Sequence, residues 1–445
     1  MSNKQLRIAM LSVHSCPVGQ LGAKDTGGMS TYIRELAGEL GNQGHSVDVY
    51  TRVHDPNDPQ IVSLGQNARL IHLKVGDNRE IPKLALYSYL PDFADNVENF
   101  RKQDGRQYDL VFSHYWLSGL VGNHLQKWWR TPHIIMFHTL GAVKNSLAIG
   151  EEEPELRIET EKDLAQNCHR IIAPTEKVKE ELMLYCGASP ERISVVPCGV
   201  NLELFRPMDK AMAKQRLGFT DNKLILFIGR IEPLKGIEQL LRAMPYLPNR
   251  QRPRLVIVGG DEQSQPDIEK LKELSRQLHI EESVSFPGLI KHEQTPYFYS
   301  AADVCVIPSY YESFGLVALE ALACGTPVVA TDVGNLKSII RQGETGYVVS
   351  DNTPRHLADK IALLLSQPSP DRDSIATIRA SVSQFSWSNI AEAIVRECRL
   401  VLANYAASSS GTVTFGTIND WLKPQNQQTG KEQKQPCSLC PRSTQ

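Results

Sequence analysis

The sequence predicts an α/β protein of two doubly wound, Rossmann-like domains facing one another across a cleft. Three observations lead there. Short apolar runs alternate with helical patterns along most of the 445 residues, as in parallel sheets covered by helices. The alternation comes in two series, interrupted where residues 199–207 carry no clear period. Both series also place glycines where a strand passes into a helix, and open α/β sheets hold ligands beyond the carboxyl ends of their strands.

The first series opens with a buried strand over 6–13 and a loop ending in Gly27-Gly28. A helix over 29–40 follows, with Met29, Tyr32, Ile33, Leu36, Ala37 and Leu40 on one face. Strands are expected at 45–52, 108–114, 133–138, 170–175 and 193–197, with a helix from Leu117 towards Trp129. The charged stretch 151–166 reads as a solvated helix. With the linker placed in 199–207, the N-terminal domain spans 1–203 and the C-terminal domain 204–385. The second domain carries strands at 223–230, 254–260, 284–288, 304–308, 327–331 and 346–349. A helix over 386–405 is expected to cross back towards the first domain. The tail 406–445, rich in Ser, Gln, Pro and Lys, reads as disordered.

Composition narrows the function. Hydrophobic residues make up 41% and charged residues 22%, the profile of a globular chain. A net charge of −2 gives no bulk attraction for nucleic acid. No apolar run approaches the roughly 18 residues of a membrane helix, and the first apolar run is too short for a signal peptide. A cytoplasmic protein with reduced cysteines is therefore expected. Cys437 and Cys440 form a lone CxxC in the tail, weak both as a zinc site and as a redox site. The histidines form no cluster with ligand spacing, so no metal site is expected.

The richest stretch is 308–331, PSYYESFGLVALEALACGTPVVAT. A buried strand ends at Pro308, a loop carries Glu312, and Gly315 turns the chain into a helix that holds Glu320. A helix starting directly after a strand presents unpaired N–H groups and a positive dipole end, which suits phosphate. Carboxylates on either side of such a phosphate suit sugar hydroxyls, and the combination describes a nucleotide sugar. Upstream, Arg230 ends a strand and Lys235 precedes the next helix, placing two cations where a diphosphate leaving group would need them.

Together, GGMSTYIRELAGEL, GRIEPLKG and ESFGLVALEALACGTPVVAT closely resemble family 4 of the retaining, nucleotide-sugar-dependent glycosyltransferases, which have the GT-B fold. The resemblance covers about residues 5–400, and the spacing of Glu312 and Glu320 is its most specific mark. HYWLSG (114–119) and HTLGAVKNS (138–146) look most like the inositol-phosphate glycosyltransferases of mycothiol synthesis, and next most like the sucrose-phosphate synthases. The resemblance implies that Glu320 holds the ribose and Glu312 the donor sugar. It gives the diphosphate to Arg230 and Lys235, with backbone N–H groups of Phe314, Gly315, Leu316 and the Gly27-Gly28 loop. Ser313 falls within the same donor loop. Leu289 and Ile290 would read the base through their backbone, and His138 would sit by the transfer site. The acceptor phosphate would fall to Tyr115, Thr139, Arg157 and either Arg79 or Lys83, with Ser30 near the acceptor hydroxyls where those enzymes carry Asn.

The expected activity is transfer of a hexosyl group, from UDP-glucose or a related nucleotide sugar, to a small phosphorylated acceptor such as fructose 6-phosphate or inositol phosphate. The nucleotide sugar is a co-substrate. No tightly bound cofactor is implied, and magnesium is allowed but not required. A homodimer is compatible with the sequence. The alternatives are a lipid or glycan acceptor, a nucleotide-sugar epimerase, which would lack the Glu312/Glu320 arrangement, and a non-catalytic nucleotide-sugar sensor.

Overall fold

The computed structural model describes residues 4–19, 26–76, 81–219, 223–248, 253–368 and 370–408. Two sheets account for its architecture. The first has strands β1 (Arg7–Leu11), β2 (Ser46–Arg52), β3 (Ile61–Gly65), β4 (Ala68–Leu73), β5 (Leu110–His114), β6 (His133–Met136), β7 (Arg170–Ala173) and β8 (Ile193–Val195). Its order is β3-β4-β2-β1-β5-β6-β7-β8, parallel apart from the β3–β4 pair. The second has β9 (Leu224–Ile228), β10 (Arg254–Val258), β11 (Val284–Gly288), β12 (Val304–Ile307), β13 (Val328–Thr331) and β14 (Gly346–Val349), in the order β11-β10-β9-β12-β13-β14 and parallel throughout. Central strands such as β5 and β12 are buried along their whole length, because helices cover both faces.

The halves share a core. One apolar cluster runs from Met10 and Phe112 in the first sheet, through Trp387, Ile390 and Ile394, to Leu226 and Ile307 in the second. Trp387, Ile390 and Ile394 belong to the last helix, Trp387–Ser408, which packs on the helix Gly28–Asn42. Just before that helix, Phe385 O accepts the Val200 N–H at 2.8 Å.

Three expectations need correction. The β3–β4 hairpin was not read from the sequence; β3 is an edge strand with alternating exposure, reached through a turn in which Asn67 adopts φ 56°. The stretch expected as a solvated helix is helical over Glu155–Asn167, yet it buries Arg157 and Glu161. The last helix continues to Ser408, so 406–408 are not part of a disordered tail. Cys437, Cys440 and the rest of 409–445 lie outside the described residues, as does Arg79.

Candidate active site between the two sheets

The second sheet sets two turns side by side. After β9 the chain forms a tight turn, Pro233–Lys235, closed by Gly236 at φ 66°. A Cβ on Gly236 would fall 2.0 Å from Pro308 O, so only glycine allows the turn to lie against the loop that follows β12. Lys235 Nζ consequently reaches Glu312 Oε1 at 2.6 Å. Ser309 Oγ donates to that same oxygen at 2.8 Å, and Thr331 Oγ1 fixes the loop by donating to Ser309 O at 2.5 Å. Ser313 is half-buried and Phe314 buried behind them.

Gly315 then adopts φ 106° and opens the helix Leu316–Ala323 without a side-chain cap. The helix Gly28–Asn42 in the other half likewise begins without one. These two starts lie against one another. A Cβ on Gly28 would lie 3.3 Å from Leu316 Cδ1, and one on Gly27 would lie 3.6 Å from Arg230 Nε. Two positive dipole ends and the Arg230 guanidinium therefore lie close together, and an anion is the ligand that such a grouping attracts. Arg230 keeps an ion pair with Glu232 at 3.0 Å.

Glu320, one turn into its helix, is held rather than free. Tyr299 OH donates to Oε2 at 2.6 Å, and His292 Nε2 lies 3.8 Å from Oε1. Burial and the Glu320 charge raise the Tyr299 phenol well above its usual range, so it stays a donor. The other ring nitrogen of His292 lies 2.8 Å from Arg34 Nη2, which comes from the first half. Leu289 and Ile290 follow β11 as half-buried residues, and Ile290 packs on the shared core.

On the opposite wall His138 stands two residues beyond β6 at φ 63°. Its Nε2 lies 3.0 Å from Nδ1 of His114, the last residue of β5. Tyr32 packs edge-on against both rings. Burial pushes the His138 imidazole down to about 3 and His114 well below its usual value, so both rings are neutral at physiological pH.

Tyr115, Thr139 and Arg157 come together beside this pair. The Arg157 guanidinium lies 4.8 Å from the Tyr115 ring centroid, and its Nη2 donates to Thr139 O at 2.9 Å and Oγ1 at 3.0 Å. Arg157 is also paired with Glu153 at 2.8 Å and Glu161 at 2.7 Å. Lys83 lies in the same neighbourhood: burial first, then the Lys83 charge, hold His14 well below its usual range, and the His14 ring sits 4.3 Å from that of Tyr115. Ser30 is buried, and its Oγ lies 2.6 Å from Ser15 Oγ. Tyr311, next to Glu312, packs on the apolar cluster of the first sheet and ties the Glu312 loop to this wall.

Sequence reasoning missed Tyr299, Ser309, His114, Glu153 and Glu161. Only the two carboxylates left a trace, since both stand four residues from Arg157. Among the described residues no three His, Cys, Asp or Glu side chains group as metal ligands, and no helix is long and apolar enough to cross a membrane.

Comparison with known proteins gives matches along most of the chain. Residues 26–204 match the family model Glycosyltransferase Family 4, and residues 209–380 match Glycosyl transferases group 1. A D-inositol 3-phosphate glycosyltransferase of Corynebacterium glutamicum (strain R) is 38% identical over 369 residues, covering 81% of this chain and 88% of that protein. The D-inositol 3-phosphate glycosyltransferase 2 of Catenulispora acidiphila is 39% identical over 397 residues, covering 87% and 93%. Among solved structures, a sucrose-phosphate synthase from Thermosynechococcus elongatus superimposes with a TM-score of 0.82 at 35% identity, covering 90% of this chain and 100% of that one.

Proposed function

The chain belongs to the family 4 glycosyltransferases of the GT-B fold, and from that premise we propose that it moves a hexosyl group, with retention, from a nucleotide diphosphate sugar to a small phosphorylated sugar or polyol. The observation that carries the reading is the meeting of two uncapped helix starts, at Gly28 and Leu316, beside Arg230. That arrangement fits a diphosphate. Glu320, oriented by Tyr299, fits the ribose on one side, and Glu312 fits sugar hydroxyls on the other. The relatives named for inositol phosphate and sucrose phosphate support a phosphorylated acceptor, and Arg157, Lys144 and Lys83 are the cations on that wall, the first two already paired with Glu153.

The chemistry needs orientation and charge stabilisation more than a protein nucleophile. As the bond between the anomeric carbon and the β-phosphate oxygen breaks, Arg230 and Lys235 stabilise the growing negative charge. A phosphate oxygen takes the proton of the incoming acceptor hydroxyl, whose oxygen bonds the same face of the sugar. Glu312 suits binding better than covalent attack, because its Oε1 already accepts from both Lys235 and Ser309. Neutral His138 can offer a hydrogen bond without adding charge. No tightly bound cofactor is required; magnesium would at most accompany the released diphosphate.

The test is a panel of labelled UDP-glucose, GDP-mannose and UDP-N-acetylglucosamine, each with fructose 6-phosphate or inositol phosphate. Nucleotide release that depends on the acceptor supports transfer. An altered free donor means epimerisation, and binding without turnover means sensing.

A further inference from the structure

The acceptor wall contains more negative charge than a phosphate-binding site would need. Arg157 has five N–H donors in a rigid fork. Nε is used on Glu161, both Nη2 hydrogens point to Thr139, and Nη1 meets Glu153 Oε2 at 2.8 Å. The side chain is only 2% exposed, the Tyr115 ring lies 4.8 Å over the guanidinium, and Glu153 holds the Nη1 edge. Lys144 is engaged by Glu153 as well.

The two carboxylates are not equivalent. Glu161 is 1% exposed and also accepts the Gly141 N–H at 2.8 Å, so it belongs to the frame. Glu153 is 17% exposed and directs its carboxylate at the two cations. Its backbone is pinned independently: its N–H donates to Asn145 Oδ1 at 2.7 Å, and Asn145 Nδ2 donates to its carbonyl at 2.9 Å. The side chain can therefore swing away while the loop stays in place.

Charge sets the direction. Arg157 and Lys144 balance Glu153 and Glu161, so this group of four is neutral. A phosphate dianion added to it would meet no net attraction. A dianion that replaces Glu153 meets two cations and a single carboxylate, with three acceptor oxygens to share between them. We propose that Glu153 is a built-in competitor for the acceptor phosphate, and that acceptor binding is an exchange in which phosphate takes the Glu153 position on Arg157 and Lys144. This rests on the phosphorylated-acceptor reading above. Its consequence is selectivity: a neutral hydroxyl compound cannot displace a paired carboxylate, and a dianion can.

Inorganic phosphate is the direct probe, titrated calorimetrically into wild type, Glu153→Gln and Glu153→Asp, with the exposed Glu151→Gln as control. Removing the competing charge-assisted bond should tighten phosphate binding about tenfold in Glu153→Gln. Glu153→Asp, too short to span both cations, should fall between that variant and wild type, and Glu151→Gln should match wild type. In turnover, Glu153→Gln should lower the KM for a phosphorylated acceptor and leave kcat nearly unchanged. Folding of each variant is checked by its melting temperature, and Glu153→Asp carries the test if Glu153→Gln does not fold. Unchanged or weaker phosphate binding in the folded variants overturns the exchange, even where wild type transfers to a phosphorylated acceptor. Tighter phosphate binding alongside transfer to a neutral acceptor upholds the exchange and overturns the acceptor reading instead.

Discussion

Lys235 Nζ sits 2.6 Å from Oε1 of Glu312, joining the turn after β9 to the loop after β12. A cation expected to stabilise the departing diphosphate and a carboxylate expected to hold the sugar thus fix one another's position. Lys235→Ala removes the cation while Ser309 still holds Glu312. The kcat should fall by about 10²–10³, as when one preorganised charge-stabilising donor is lost, with a smaller change in donor KM. Steady-state kinetics decide it: an unaltered kcat removes Lys235 from the chemical step.

The loop between β12 and β13 was legible because its determinants are local. Glycine at 315 marks the turn where φ is positive, and the apolar strands on either side announce themselves by composition. The wall around Arg157 was only half legible. Charged residues at 151–166 read as solvent-facing, since nothing local reveals that Thr139, 18 positions earlier, receives the Arg157 fork. Tyr299 was hidden for the same reason, bonding Glu320 across 21 positions. The β3–β4 hairpin escaped because its turn uses Asn67 in the left-handed region without the Asn-Gly signature.

Glu320 and Tyr299 separate direct contact from positioning. Glu320→Ala should weaken nucleotide binding about 10–100-fold, the effect of losing charge-assisted hydroxyl bonds of ~1.5–3 kcal/mol. Tyr299→Phe leaves the carboxylate but frees it from the 2.6 Å bond, and should cost less, about 3–10-fold. Calorimetric titration with the nucleoside diphosphate alone reads both. A larger loss in Tyr299→Phe than in Glu320→Ala would reverse the assignment.

The buried histidines should make the fold acid-sensitive. Burial pushes His133 down to about 3, and His114 well below its ordinary value. Unfolded, each takes a proton near pH 6.5, so between the folded and unfolded values the unfolded chain binds more protons and stability rises with pH. Stability is therefore lost as pH falls below about 6.5, and His133 alone accounts for ~2 kcal/mol at pH 5. Urea unfolding at pH 5 and 7.5 should show a lower midpoint at pH 5, with a shallower pH dependence in His133→Gln. A midpoint that rises on acidification would contradict this burial.

Arg157→Ala should act on the fold before it acts on the acceptor. The guanidinium is 2% exposed and meets Glu153, Glu161 and Thr139 together, so truncation leaves Glu161, itself 1% exposed, without its cation. Breaking a buried pair from one side costs about 3–5 kcal/mol, because the remaining charge has lost its hydration and gained nothing. Burial already raises the Glu161 pKa, so without Arg157 its carboxyl should tend to protonate rather than stay charged, and the loss should be smaller at pH 5 than at pH 8. The comparison is the difference in unfolding free energy between variant and wild type at the two pH values. If stability holds and only the acceptor KM rises, Arg157 contacts substrate without supporting the fold, and the ion pairs around it contribute little.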